Sequence, residues 1–193
     1  MTAGPATPDE APAGPVPAVL ALGSNLGDRL ATLRSALAAL DATPGLRVVR
    51  ASGVVETDPV GPEQPDYLNA VLLVRTALSA HDLLAACQRV EDDHGRVRTV
   101  RWGARTLDVD VLDYAGAVLA SDRLEVPHPR AHERAFVLVP WADADADAVV
   151  PGAGGPRRAA DLLAGLDPAD VAGVRPRPDL ILDVPADRPE DRR

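Results

Sequence analysis

Two aspartates one residue apart, in Leu107-Asp108-Val109-Asp110-Val111, carry the sharpest chemical signal in the chain. On a β-strand successive side chains alternate faces, so Asp108 and Asp110 share one face while Leu107, Val109 and Val111 turn into a core. Carboxylates spaced about 7 Å along a strand can converge on hard cations. Magnesium takes one or two carboxylates and completes its shell with water and substrate phosphates. A solvated outer strand face has the same Asp-x-Asp pattern, so the pair needs support from elsewhere. That support lies just upstream, where Arg96, Arg98, Arg101 and Arg105 fall within ten residues around Trp102-Gly103. Guanidinium forks bind phosphate oxygens two at a time, and the glycines here allow a loop that closes over a ligand. An exposed loop that is merely arginine-rich is the alternative. Taken together, the two signals favour a phosphate site: carboxylates hold a metal, the metal holds phosphates, and guanidinium groups neutralise the remaining charge.

Gln64-Pro65-Asp66-Tyr67-Leu68-Asn69 leads from a Pro-rich loop into a strand. Tyr67 and Asn69 share a face, and an aromatic ring beside an amide suits a flat heterocycle; alone, a core Tyr and a turn Asn explain the pattern better. Val126-Pro127-His128-Pro129-Arg130 sets His128 on a stiff loop near Arg134 and Phe136, the one Phe in the chain. An isolated His or Phe is by default structural. Gly23-Ser24-Asn25 reads as a strand-to-helix turn with Asn25 near the helix cap, and only weakly as a phosphate loop.

These residues need elements to hold them. A chain of 193 residues is long enough for one domain with a real core. Its net charge of −9 disfavours nucleic acid and anionic membrane as partners. All twenty basic residues are Arg, so a Walker A loop and a Schiff-base lysine are both excluded. Cys87 stands alone, which excludes an internal disulfide and fits a reducing, cytoplasmic setting. No apolar run reaches membrane-spanning length.

Residues 1–17, rich in Pro, Ala and Gly, read as a disordered tail. The pattern then predicts a strand at 18–22, a helix at 28–40, and a strand at 46–56. A loop follows at 57–66, a strand at 67–76, and a helix capped by Ser79 and ended by Gly95. A strand at 107–114, a second strand arm at 117–126, and helices at 130–139 and 159–166 complete the list. Residues 174–193, rich in Pro and charge, read as a second tail in which 180–184 could add an edge strand. Strand-helix-strand-strand-helix-strand is the ferredoxin-like order, so the expectation is an α+β sandwich: a mostly antiparallel sheet with helices packed on it.

In order, the motifs Leu22-Gly23-Ser24-Asn25-Leu26-Gly27-Asp28, Gln64 to Ala70, Gly95-Arg96-Val97-Arg98, Arg101-Trp102-Gly103-Ala104-Arg105-Thr106-Leu107-Asp108-Val109-Asp110 and Val126-Pro127-His128-Pro129 resemble the 6-hydroxymethyl-7,8-dihydropterin pyrophosphokinases of folate biosynthesis. The resemblance spans 18–173. It implies that ATP gives its terminal two phosphates to the hydroxymethyl oxygen of a reduced pterin, and that AMP leaves. It implies two magnesium ions on Asp108 and Asp110. Arg96 and Arg105 would act in catalysis. Arg105, Arg98, His128, Arg134, Gln88 and Glu91 would hold ATP. Tyr67 and Phe136 would sandwich the pterin, with Asn69 on the ring edge, Trp102 closing the site, and the chain at Thr57, Pro59 and Val60 lining the pocket. Pro129 stands where the family often has an aromatic.

Two other readings compete. A non-catalytic ferredoxin-like module would bind a nucleotide or RNA end, yet would have no need of two metal carboxylates. A different nucleotide-dependent transferase would act on another heterocycle, and only a substrate test separates it. Small size and an acidic surface favour a monomer.

Overall fold

The first long apolar run, from Val16, becomes the centre of the sheet. In the computed structural model, which describes residues 7, 9–59, 63–95, 105–152 and 155–186, β1 (Val16–Ser24) is buried along most of its length. A strand so apolar on both faces must be covered on both. β1 pairs antiparallel with β4 (Tyr67–Thr76) on one side and β5 (Asp108–Tyr114) on the other. The far edge of β4 takes β2 (Leu46–Ala51) and then β3 (Val55–Thr57), also antiparallel. β10 (Arg175–Pro176) adds outside β3, giving the order β10-β3-β4-β1-β5. The expected ferredoxin-like arrangement is present.

Helices cover both faces. α1 (Arg29–Ala42) and α2 (Ala80–Asp93) lie on one, where Leu33, Leu37, Leu40, Leu83 and Val90 pack with Leu20, Leu22, Leu72, Val109 and Val111. α3 (Ala135–Ala144) and α4 (Ala159–Leu163) lie on the other, with Leu138, Trp141 and Leu162 against Val19, Val71 and Leu112. The caps follow the sequence. Asp28 accepts from the Ala31 N–H, and Ser79 accepts from the Asp82 N–H while donating to its carboxylate. α2 ends at His94, and Gly95 follows with φ +70. Cys87 is enclosed in this layer, where burial, helped by the Asp110 charge, pushes its thiol up to about 12.

Several boundaries differ from expectation. The strand expected at 46–56 is two, because the Gly53 N–H turns away to Asp143 Oδ2 of α3 at 2.7 Å and interrupts the ladder. The arm at 117–126 is reduced to β6 (Leu119–Ala120) and β7 (Glu125–Val126), which pair with each other as a separate two-stranded sheet. Between them Ser121 Oγ accepts the Arg123 and Leu124 N–H groups and tightens the turn. The helix expected at 130–139 begins as a 3₁₀ turn at Ala131–Glu133, and α3 then runs through Pro140. A short hairpin of β8 (Val149–Val150) and β9 (Arg157–Arg158) precedes α4, and α5 (Pro168–Ala172) is additional.

The C-terminal segment read as a tail packs on the domain up to residue 186. Val174 and Leu182 are buried, and Leu180 and Val184 lie against the α1 side of the core. Residues 180–184 do so without strand pairing; the Ile181 carbonyl instead accepts from Arg34 Nε at 3.0 Å. Prolines and charges hid an alternation of apolar residues, Leu180, Leu182 and Val184, that packs on this core. Leu182→Ala should cost about 2 kcal/mol and lower Tm by about 4–8 °C. An unchanged Tm would show that this segment does not pack.

Candidate active site

At the C-terminal end of β1 the register sets Gly23 between Asn69 of β4 and Asp108 of β5. A Cβ on Gly23 would stand 3.1 Å from Asn69 Oδ1 and 3.9 Å from Asp108 Cβ. Two residues earlier, Ala21 lies opposite Asp110. Small residues on β1 therefore leave open floor between an amide and two carboxylates. Above this floor is a cavity of about 540 Å³, a size suited to a small molecule. Its walls come from the loop after β3 (Thr57, Asp58, Pro59), from the approach to α3 (Arg130, Glu133, Arg134, Phe136), and from α5 and the residues after it.

The carboxylates sit among cations. Asp108 Oδ2 accepts from Arg105 Nη1 at 2.6 Å. Asp110 Oδ2 lies 3.9 Å from both Arg134 Nη1 and His128 Nε2. Burial, reinforced by the Asp108 charge, still raises the Asp110 pKa above the usual carboxylate range, although His128, Arg134 and Arg105 pull it down. Burial likewise lowers the His128 pKa, against the pull of Asp110. The Arg130 N–H donates to His128 Nδ1, so the neutral ring carries its proton on Nε2, toward Asp110. The Arg134 guanidinium also lies over the Phe136 ring, 5.5 Å from its centroid.

The amide is oriented too. Asn69 Nδ2 donates to Thr57 Oγ1 at 2.9 Å, which turns Oδ1 toward Gly23 and the cavity. Thr57, Pro59, Tyr67, Asn69, Arg105, Asp108, Asp110, Arg134 and Phe136 are thus brought to one cavity.

Three expected ATP contacts are not on its wall. His128 stands beside Asp110, Gln88 lies on α2, and Glu91 is buried with Oε1 accepting the Val109 N–H at 2.7 Å. Glu91 therefore holds the strand that carries the aspartates. Val60, Arg96, Arg98, Arg101 and Trp102 lie outside the described residues.

The sequence pattern gave Arg130 no role and missed Glu133 and the α5 wall of Ala169, Asp170, Gly173 and Val174. Asp167-Pro168, an N-cap followed by Pro at the first helical position, was the available signal for α5. Asn25 lies in the expected strand-to-helix turn, just before the capping Asp28, but it is buried and has a further role. Its Nδ2 donates to Gln64 Oε1 and to the Pro65 carbonyl, and its Oδ1 accepts the Arg105 N–H at 2.7 Å. One side chain ties the loop before β4 to the entry of β5.

The model for 7,8-dihydro-6-hydroxymethylpterin-pyrophosphokinase (HPPK) matches residues 19–146. The chain belongs to the HPPK family. It is 45% identical over 158 residues to a 2-amino-4-hydroxy-6-hydroxymethyldihydropteridine pyrophosphokinase of Methylorubrum extorquens, covering 81% of this chain and 98% of the relative. With the enzyme of that name from Mycobacterium leprae the identity is 46% over 169 residues, covering 81% and 86%. A crystal structure of wild-type Plasmodium falciparum HPPK-DHPS has the same fold, with TM-score 0.62 at 13% identity, over 78% of this chain and 43% of that one. The match to the HPPK family model ends within the loop after α3, so α5 and β10 lie beyond it.

Asn25→Ala should cost about 1–3 kcal/mol, because three hydrogen bonds of a buried amide to half-buried or exposed partners are lost. Urea unfolding checks this, and an unaltered midpoint would refute the tie. Asp110→Asn should raise the Tm of the ligand-free protein by about 1–3 °C, a figure kept small for a carboxylate partly open to solvent. A raised carboxyl pKa means that the ionised form is disfavoured by folding. The gap to wild type should therefore be widest at neutral pH and narrow on acidification, as the wild-type carboxyl is protonated. A lower Tm for the Asn protein would contradict the assigned electrostatics.

Proposed function

We propose that this chain transfers the terminal pyrophosphoryl unit of ATP to the hydroxymethyl oxygen of 6-hydroxymethyl-7,8-dihydropterin, releasing AMP, as a cytoplasmic step of folate biosynthesis. The observation that carries this reading is the union, in one cavity, of an aspartate pair flanked by arginines with a Tyr, a Phe and an oriented amide. Among the described residues no group of three or more His, Cys, Asp or Glu is arranged to hold a metal alone. Two hard carboxylates without a full protein cage suit magnesium, which takes its remaining ligands from phosphates and water. Asp108 and Asp110 would hold two such ions, whose chemistry is to neutralise charge along the triphosphate.

The chain's own groups do the positioning. Arg105 and Arg134, released in part from their carboxylate partners, would take phosphate oxygens as planar forks. Tyr67 and Phe136 would clasp the flat pterin, and Asn69 Oδ1 would accept a hydrogen bond from its edge. The acceptor oxygen bonds to the β-phosphorus as the bond from that phosphorus to the α–β bridging oxygen breaks. The hydroxyl proton is lost, and the bridging oxygen leaves on AMP. Such transfers depend on alignment and on charge neutralisation more than on covalent help from the protein. By the family resemblance, Arg96, Arg98 and Trp102 would close over this site, with Val60 on the pterin side and Gln88 and His128 on the nucleotide side. Among the described residues no helix is long and apolar enough to cross a membrane. The small-molecule substrates are the expected partners, and nucleic acid is not; the chain would act as a monomer.

AMP release from ATP and magnesium, measured with and without the pterin, tests the proposal. AMP should form only when the pterin is present, and Asp110→Asn should lower turnover at least about 100-fold with the fold intact. Pterin-independent AMP, or wild-type rates in the variant, would overturn it.

A further inference from the structure

Beyond the matched family region the chain returns to the cavity. Gly173 and Val174 line it, and Arg175 follows at the start of β10. The Arg175 guanidinium lies between two carboxylates that are close in space and apart in sequence. Nη1 reaches Asp58 Oδ1 at 2.8 Å, and Nη2 reaches Asp66 Oδ2 at 2.9 Å. Asp58 directly follows Thr57, the last residue of β3, and Asp66 directly precedes Tyr67, the first residue of β4; Thr57 and Tyr67 oppose each other in register. One planar fork thus bridges the two limbs that present Thr57 and Pro59 on one side and Tyr67 and Asn69 on the other.

The bridge has a foundation. Glu56 accepts from Arg29 and Arg177, each at 2.9 Å, and Arg29 Nη1 also donates to the Asp66 carbonyl at 2.8 Å. Arg175 pairs through its backbone with Glu56 in the β10–β3 ladder. Its side chain therefore has a fixed origin from which to hold both limbs.

We infer that Arg175 is a positioning residue for the heterocycle: by spanning Asp58 and Asp66 it sets the width of the slot between the two limbs, and so the affinity for the pterin. This rests on the function proposed above. Arg175 is not among the residues that line the cavity, so its effect would belong to substrate binding, not to the chemical step. Exposed ion pairs add little to global stability and are screened by salt. The bridge should therefore register in binding while leaving Tm almost unchanged. A lysine would hold the two carboxylates less firmly, because its ammonium is a point charge without the spaced, planar fork.

The test is steady-state kinetics of the full chain at saturating ATP and magnesium, with varied 6-hydroxymethyl-7,8-dihydropterin. Arg175→Ala should raise the pterin KM by about 5- to 10-fold, with kcat within about twofold and the ATP KM unchanged. Arg175→Lys should fall between the two. Added NaCl should raise the wild-type pterin KM toward that of the Ala variant, whose own value should respond less. If Arg175→Ala does not fold, Asp66→Asn, away from the cavity wall, breaks one arm of the bridge with nearly unchanged shape and should raise the pterin KM alone. An unchanged pterin KM, or an equal rise in both KM values, overturns the inference while wild-type turnover leaves the proposed reaction standing. A wild type without pterin-dependent AMP release removes the reaction, and the inference with it.

Discussion

The site depends on there being no side chain at Gly23. Three strands end together there, and the space that a Cβ would fill is the space between the Asn69 amide and Asp108. Any other residue would have to push an oriented amide aside, and that amide is already committed to Thr57. β1 therefore has two jobs that pull against each other. Its apolar side chains must fill the core on both faces, and its last residues must be small enough to form a floor. Ala18, Val19, Leu20 and Leu22 do the first, and Ala21 and Gly23 do the second.

Around that floor, structural and chemical duties fall to different residues. Glu91 and Asn25 are buried polar groups with no place on the cavity wall, yet each fixes a segment that belongs to it. Glu91 satisfies an N–H of β5 from behind. Asn25 joins two loops by their backbones. Asp110 is the converse: its ionised carboxylate is disfavoured by its own surroundings. Groups held at some cost to stability are characteristic of sites built for a ligand that arrives later.

Strong local patterns made much of this legible in the sequence. The alternation around Asp108 and Asp110, the apolar run of β1, the Ser79 cap and the span of β4 all follow from periodicity and capping, which act over a few residues. The failures share a cause. Gly53 leaves its ladder for Asp143, Asn25 is tied to Gln64 and Arg105, and Arg177 answers Glu56. Each of these contacts joins residues far apart in the chain, and no local window records them. The C-terminal segment was the largest miss because its arginines and prolines look solvated until their carboxylate partners are supplied by β3 and its loop.

That segment also sets an order of events. A chain emerging from the ribosome offers β1 before the α5 wall, and β1 to β5 with both aspartates precede the residues of α5 that close the cavity. Because domains tend to fold from the N-terminal side as they are made, the nascent protein passes through a stage with its floor built and one wall missing. Competence to grip a substrate would then arrive abruptly, once the α5 wall is made, so that a half-made chain would be a poor sink for substrate.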